Sequence, residues 1–168
     1  MMNVQFLNPF IEAAFAVLDA EVGVTAKRGQ LSLQRSAATA SEVTVLISLV
    51  GQVKGVVLYG LSEATALQIV SKILGQPFAE FDNLAQSGIG EMGNVITGQA
   101  GQRLAEAGFE SNISPPTMIV GKGTLISTLD FERLQVPLET ELGTLQIHLA
   151  LRESKNNMVP HVASIGVA

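Results

Sequence analysis

Residues 87–108 read SGIGEMGNVITGQAGQRLAEAG. Wound as a helix at about 100° per residue, this run places Ile89, Met92, Ile96, Ala100, Leu104 and Ala107 on one side, a stripe that can face a core. Glu91 and Asn94 fall on the other side, three residues apart and so neighbours on the helix surface. Gly98, Gly101 and Ala105 lie around and beyond them. Each glycine inside a helix costs about 1 kcal/mol relative to alanine. Gly93, Gly98 and Gly101 therefore need an offset, and close approach by another backbone is the expected one. For Gly98 and Gly101 two readings stand side by side: a smooth surface for a partner, or tight packing against a helix of the same chain.

Working outward, the composition bounds the class. The chain has 168 residues, 47% hydrophobic and 15% charged, which suits one globular domain with a sizeable core. We place that domain at residues 1–155 and a C-terminal tail at 156–168. The residues after Glu153 lack a clear pattern, as expected of a frayed tail or a partner-binding arm. No apolar run approaches the ~18–20 residues of a membrane span, so no membrane partner is expected. Phe10 to Val24 is broken by Glu12, Asp19 and Glu21 and reads as a helix, not a signal peptide. There is no cysteine, hence no disulfide framework and no thiolate chemistry. These features together favour a cytoplasmic protein. A net charge of −5, no tryptophan and one tyrosine argue against a nucleic-acid partner.

Upstream of the central run, Asn8 and Pro9 suggest an N-cap and a first-turn proline for a helix reaching about Val22, with Gly23 as its stop. Strand candidates follow at 31–34, 43–50 and 53–60, the last two forming a hairpin through Gly51-Gln52; Gly55 marks a bulge or a close approach. Ser62 caps a second helix carrying Leu67, Ile69, Val70, Ile73 and Leu74, which Gly75 and Pro77 end. Residues 78–86 read as a connector. Downstream, Pro115-Pro116 open a further strand group at 117–120 and 124–128. A hairpin of 131–140 and 144–152 follows, turning near Leu142-Gly143. In its second strand Leu145, Ile147, Leu149 and Leu151 alternate with Gln146, His148, Ala150 and Arg152, which predicts one buried and one wet face. The order is helix, about three strands, helix, then helix and about three strands again, a degenerate internal duplication.

Several chemistries find no support. His148 and His161 have no ligand-like spacing, so no metal site is expected, and His148 reads as a surface histidine. No nucleophilic triad can be assembled. Gly121-Lys122-Gly123-Thr124 lacks the spacing of a phosphate loop and reads as a turn. Gly88 and Gly90 are placed before a helix N-terminus, where they could bind an anion, but they complete no dinucleotide fingerprint.

The run Glu91-Met92-Gly93-Asn94-Val95-Ile96-Thr97-Gly98, continuing through Gln99-Ala100, resembles the signature helix of the CheC/CheX family of chemotaxis phosphatases. The opening Asn8-Pro9-Phe10-Ile11-Glu12-Ala13, the strand Gly51-Gln52-Val53-Lys54-Gly55 and the element order over roughly residues 5–152 resemble CheX-type chains as well. CheC-type members carry two E-x-x-N helices. Here the first helix offers Glu12-x-x-Phe15, with no amide at the second position, which points to the one-centre CheX type.

The resemblance implies an α+β, two-layer CheC-like sandwich: a degenerate tandem duplication of a helix-plus-three-strands unit, its helices packed on a largely antiparallel sheet. It implies a phosphatase that hydrolyses the aspartyl phosphate of a CheY-like response regulator, with Asn94 orienting the attacking water and Glu91 docking a lysine of the receiver. Gly98 and Gly101 would let the receiver approach closely. No cofactor of its own is implied; a divalent metal, Mg2+, is expected in the partner receiver. The partners implied are the phosphorylated receiver and a second copy of the chain in a homodimer. The alternatives are a non-catalytic receiver-binding or flagellar-switch-type adaptor, and a dimerisation module.

Overall fold

The structure, a computed structural model, describes residues 4–34, 41–121, 124, 126 and 132–154. A 3-10 turn at Val4–Phe6 leads into α1 (Leu7–Val17), which widens into a π-helical turn at Leu18–Val22. Asn8 is not the cap: the helix starts before it, from Phe6, without a side-chain cap bond. Pro9 still sits in the first turn, where an N–H has no intrahelical partner to lose. Gly23 ends the element as expected, at φ 74°.

Four strands follow: β1 (Lys27–Arg28), β2 (Ser32–Gln34), β3 (Val43–Gly51) and β4 (Val53–Leu61). Next comes α2 (Glu63–Leu74), capped by Ser62, whose Oγ accepts from the Thr65 N–H at 3.1 Å. Then α3 (Asn83–Glu106) leads to β5 (Ser111–Ile113), β6 (Thr117–Val120), β7 (Arg133–Thr140) and β8 (Gly143–Glu153). The first turn of α3 overturns the expected connector over residues 78–86, and β5 was not expected ahead of Pro115. Among the described residues each half therefore carries four strands, where about three were expected. The strand candidate at 124–128, the Lys122-Gly123 pair, His161 and the tail at 156–168 lie outside the described residues, apart from Thr124 and Ile126.

All pairings are antiparallel. The hairpins β3–β4 and β7–β8 lie side by side, joined through β4 and β8. β1 and β2 line the β7 edge, whereas β5 and β6 line the β3 edge. Each half thus sends its two short strands to the hairpin of the other half, so the duplication is interlocked and neither half closes its sheet alone. Where β4 meets β8, Gly55 has φ 136°, and a Cβ there would run into the Ala150 carbonyl oxygen. Only glycine lets the two central strands meet at that point.

One sheet face carries Val45, Tyr59, Ile147 and Val136 in register, all fully buried. Phe10, Ala14 and Val17 of α1 and Ile89, Ile96 and Ala100 of α3 join them in one core. The opposite face is not the wet face expected. His148 is 4% exposed and Ala150 1%. His148 lies in register between Leu58 and Gln135, and Ile126 is also buried, its carbonyl 3.5 Å from Nη1 of the buried Arg133. Ile126, from outside the strands, thus meets this face at Arg133, a long-range contact that strand alternation cannot report. Burial, and then the positive charge of Arg133, push the His148 imidazole down to about 4.

Candidate functional site

The functional helix begins one turn earlier than its apolar stripe suggests. Asp82 Oδ1 accepts the Ala85 N–H at 2.9 Å and caps α3. Gln86 Nε2 donates back to the Phe81 carbonyl at 3.1 Å. Gly88 and Gly90 consequently lie inside the helix, where their amides are spent on the helical ladder, and the anion-binding expectation at those glycines fails.

Ile89, Met92, Ile96, Ala100 and Leu104 are buried as expected, whereas Ala107, the C-cap residue, is exposed. The glycines divide between two roles. On the inner side, a Cβ on Gly88 would stand 2.6 Å from Val70 Cγ2 of α2. A Cβ on Gly93 would stand 3.0 Å from Val45 Cγ1 and 3.3 Å from Tyr59 Cδ2. These glycines let α3 sit close to α2 and to the sheet. On the outer side nothing lies within 4 Å of a Cβ at Gly98 or Gly101, so packing against a helix of the same chain is not their reason.

Beneath the helix runs a buried polar relay. Thr97 Oγ1 donates to the Gly93 carbonyl at 2.7 Å, and Tyr59 Oη lies 2.7 Å from Thr97 Oγ1. A hydroxyl has one hydrogen, so with that of Thr97 on the carbonyl, Tyr59 is the donor of the second bond. Burial pushes the Tyr59 phenol above its ordinary value, against the opposing effect of the Thr97 bond, and keeps it a donor.

On the opposite side of this turn, Glu91 is exposed and Asn94 half-buried. Neither side chain is engaged in a hydrogen bond or ion pair among the described residues. A shallow groove of about 450 Å³ flanks Glu91, lined by Asn83, Gln86, Ser87, Gly90, Pro116 and Met118. β6 supplies its far wall through Met118, with Pro116 just before it. The arrangement is a ridge bearing one carboxylate and one amide, continued by the bare backbone of Gly98 and Gly101. It can accept hydrogen bonds at Glu91, and both donate and accept at Asn94. A larger polar cavity of about 500 Å³, lined by residues including Gln34, Glu42, Ser62, Gln146 and His148, shares no residue with this ridge.

The counterpart position on α1 is occupied differently. Glu12 is paired with Arg103 of α3, and Phe15 packs against the core. Among the described residues no group of three His, Asp or Glu side chains gathers as a metal ion would need, and no helix is long and apolar enough to cross a membrane. The sequence singles out Glu91, Asn94, Gly98 and Gly101, and the structure brings all four to the outer side of α3. Sequence reasoning missed Asp82, whose D-N-L-A start is a legible cap signal. It also missed the buried hydroxyl of Thr97 on α3 itself, and Tyr59, Pro116 and Met118, which tertiary structure alone brings to the helix.

Comparison with known proteins fits this geometry. The sequence model described as chemotaxis phosphatase CheX matches residues 43–139. A CheY-P phosphatase CheX from Thermotoga maritima is 28% identical over 128 residues, which span 76% of this chain and 83% of that protein. A CheC-like superfamily protein from Shewanella sp. PV-4 superposes with a TM-score of 0.83 at 29% identity, over 90% of this chain and 99% of that one. The matched chain in a CheX–CheY–BeF3–Mg2+ complex from Borrelia burgdorferi superposes with a TM-score of 0.78 at 28% identity, over 90% and 100% of the two chains.

Proposed function

The chain belongs to the CheX family of chemotaxis phosphatases, and from that membership we propose that it hydrolyses the aspartyl phosphate of a CheY-like receiver domain. The observation that carries the proposal is the pairing of Glu91 and Asn94 on one outward ridge of α3, both without a hydrogen-bond or ion-pair partner among the described residues and followed by the open backbone at Gly98 and Gly101. An acyl phosphate is already an activated bond. What its hydrolysis lacks is a water held in line with the phosphorus. Asn94 supplies that alignment: its amide accepts from the water and donates toward a phosphoryl oxygen, with no charge to repel the phosphoryl group. The water oxygen bonds to phosphorus as the aspartyl carboxylate leaves.

Glu91 is a docking anchor in this reading. It accepts a charge-assisted bond from a lysine of the receiver and so fixes the register of the two proteins. The bare stretch at Gly98 and Gly101 lets receiver loops come close. The divalent metal belongs to the receiver, where it neutralises phosphoryl charge. A receiver substrate places the protein in the cytoplasm. A homodimer is part of the same proposal. Leu33 of β2 and Val120 of β6, 56% and 48% exposed, lie on the short strands at the two sheet edges, where strand addition joins sheets.

The test follows the decay of phosphorylated CheY-type receivers with and without this protein. Acceleration by the wild type that Asn94→Ala abolishes supports the reading. Receiver binding without any change in phosphoryl lifetime would replace it with the adaptor. Light scattering showing a stable monomer would remove the homodimer.

A further inference from the structure

We propose that Tyr59 and Thr97 are positioning residues for Asn94, acting through the Gly93 carbonyl; the proposal rests on the phosphatase reading above. Asn94 points away from the core, and its placement depends on how deeply and at what rotation the turn 93–97 is seated. Apolar packing alone specifies that loosely, because a helix can roll on an aliphatic floor at small cost. Two contacts remove that freedom. The missing side chain at Gly93 admits the Val45 side chain and the Tyr59 ring, which are cross-strand partners on β3 and β4. The chain of bonds from Tyr59 Oη through Thr97 Oγ1 to the Gly93 carbonyl then ties the same turn to β4 by a directional link.

Both side chains are fully buried, so no water can replace either bond without cost. A second bond onto the Gly93 carbonyl, besides the helical one, also draws that carbonyl off the ideal ladder in the peptide unit that Gly93 shares with Asn94. The relay touches neither the groove nor the exposed ridge. Its effect on catalysis is therefore an effect on the aim of Asn94, not on docking.

The experiment compares wild type, Tyr59→Phe, Thr97→Val, Thr97→Ser and Asn94→Ala in single-turnover decay of a phosphorylated CheY-type receiver. Amide hydrogen exchange at residues 94–97 is measured in the free protein alongside. Tyr59→Phe keeps the ring in place and loses only the donor. We expect kcat to fall about tenfold in Tyr59→Phe and Thr97→Val with KM within about twofold, since small misplacements of a catalytic group cost rate and not affinity. Thr97→Ser, which keeps the hydroxyl, restores kcat to within about twofold of wild type. The Tyr59→Phe/Thr97→Val double variant is no worse than Thr97→Val alone. Exchange at 94–97 accelerates in Tyr59→Phe while α2 is unchanged.

Full kcat in both Tyr59→Phe and Thr97→Val, in a preparation where Asn94→Ala is inactive, overturns the positioning proposal and leaves the phosphatase reading intact. Equal activity of wild type and Asn94→Ala removes the phosphatase reading instead. The exchange measurement then decides the lock by itself, and unaltered exchange in Tyr59→Phe overturns it.

Discussion

Arg103 Nε of α3 lies 3.5 Å from Glu12 Oε2 of α1. Glu12 opens the first-half copy of the E-x-x-N pattern, whose second position is Phe15, so the carboxylate that could have anchored a second receiver is spent on the partner helix. The pair is 35% and 63% exposed, where solvent screens it. Glu12→Gln should change stability by no more than about 0.5 kcal/mol and leave kcat and KM within about twofold, checked by urea unfolding and receiver-phosphate decay. Phe15→Asn should create no second centre, because Phe15 packs against the core. Its expected signature is a stability loss of about 2–3 kcal/mol without any gain in rate.

On the proposed reading, Asn94 and Glu91 separate by kinetic class. Asn94→Ala should lower kcat about 100-fold with the fold unchanged by circular dichroism, since positioning of the water is lost. Glu91→Gln should raise KM about tenfold and leave kcat within about threefold, as befits loss of a charge-assisted docking bond. Added salt should raise the wild-type KM more than that of Glu91→Gln. A Glu91→Gln enzyme with normal KM and collapsed kcat would instead make Glu91 a participant in the chemistry.

The two classes of glycine on α3 should respond with opposite signs. Gly98→Ala meets open space and should stabilise the protein by about 0.5–1 kcal/mol. Gly88→Ala puts a methyl 2.6 Å from Val70 Cγ2, on a stiff β-branched side chain, and should destabilise by about 1 kcal/mol or more despite the gain in propensity. Gly98→Leu should fold normally yet raise KM for the receiver, because its bulk stands on the docking ridge. Denaturant midpoints and receiver titrations check all three.

His148 gives the protein a pH signature. Its imidazole is pushed down to about 4 by burial and by Arg133, while in the unfolded chain it titrates near the ordinary ~6.5. Leu58 and Gln135 flank it across the two neighbouring strands and bring no charge. Between those values only the unfolded state binds the proton. The contribution is therefore fully present above about pH 6.5, falls as pH drops toward 4, and is flat below that. The expected loss over the window is about 2–3 kcal/mol, and His148→Gln should remove that component of the slope whatever its own stability. Denaturant unfolding at pH 7, 5.5 and 4.5 checks it.

Much of the molecule was legible because local chemistry encodes it. The period of Ile89, Met92, Ile96, Ala100 and Leu104, the cap at Ser62 and the stops at Gly23 and Gly75 depend only on neighbours a turn away, and the structure bears them out. Helical spacing alone puts Glu91 and Asn94 side by side, while the roles expected of them came from the resemblance to the CheC/CheX family. The start of α3 is also locally encoded, in the Asp82 cap, but the apolar stripe that begins at Ile89 does not report it.

Other features could not be read this way. Gly93 and Gly98 look alike in sequence, and only the sheet beneath one and the open space beside the other separate their roles. His148 alternates as a wet residue should, yet in the folded chain it is buried between Leu58 and Gln135. Tyr59 and Thr97 are 38 residues apart and meet only because β4 runs under α3. The sequence by itself determined which helix carries the carboxylate and the amide, because helical periodicity is a property of a few adjacent residues. Tertiary structure alone decided what holds that helix in place and what stands open beside it, because burial and hydrogen bonding across a sheet join residues that the chain keeps far apart.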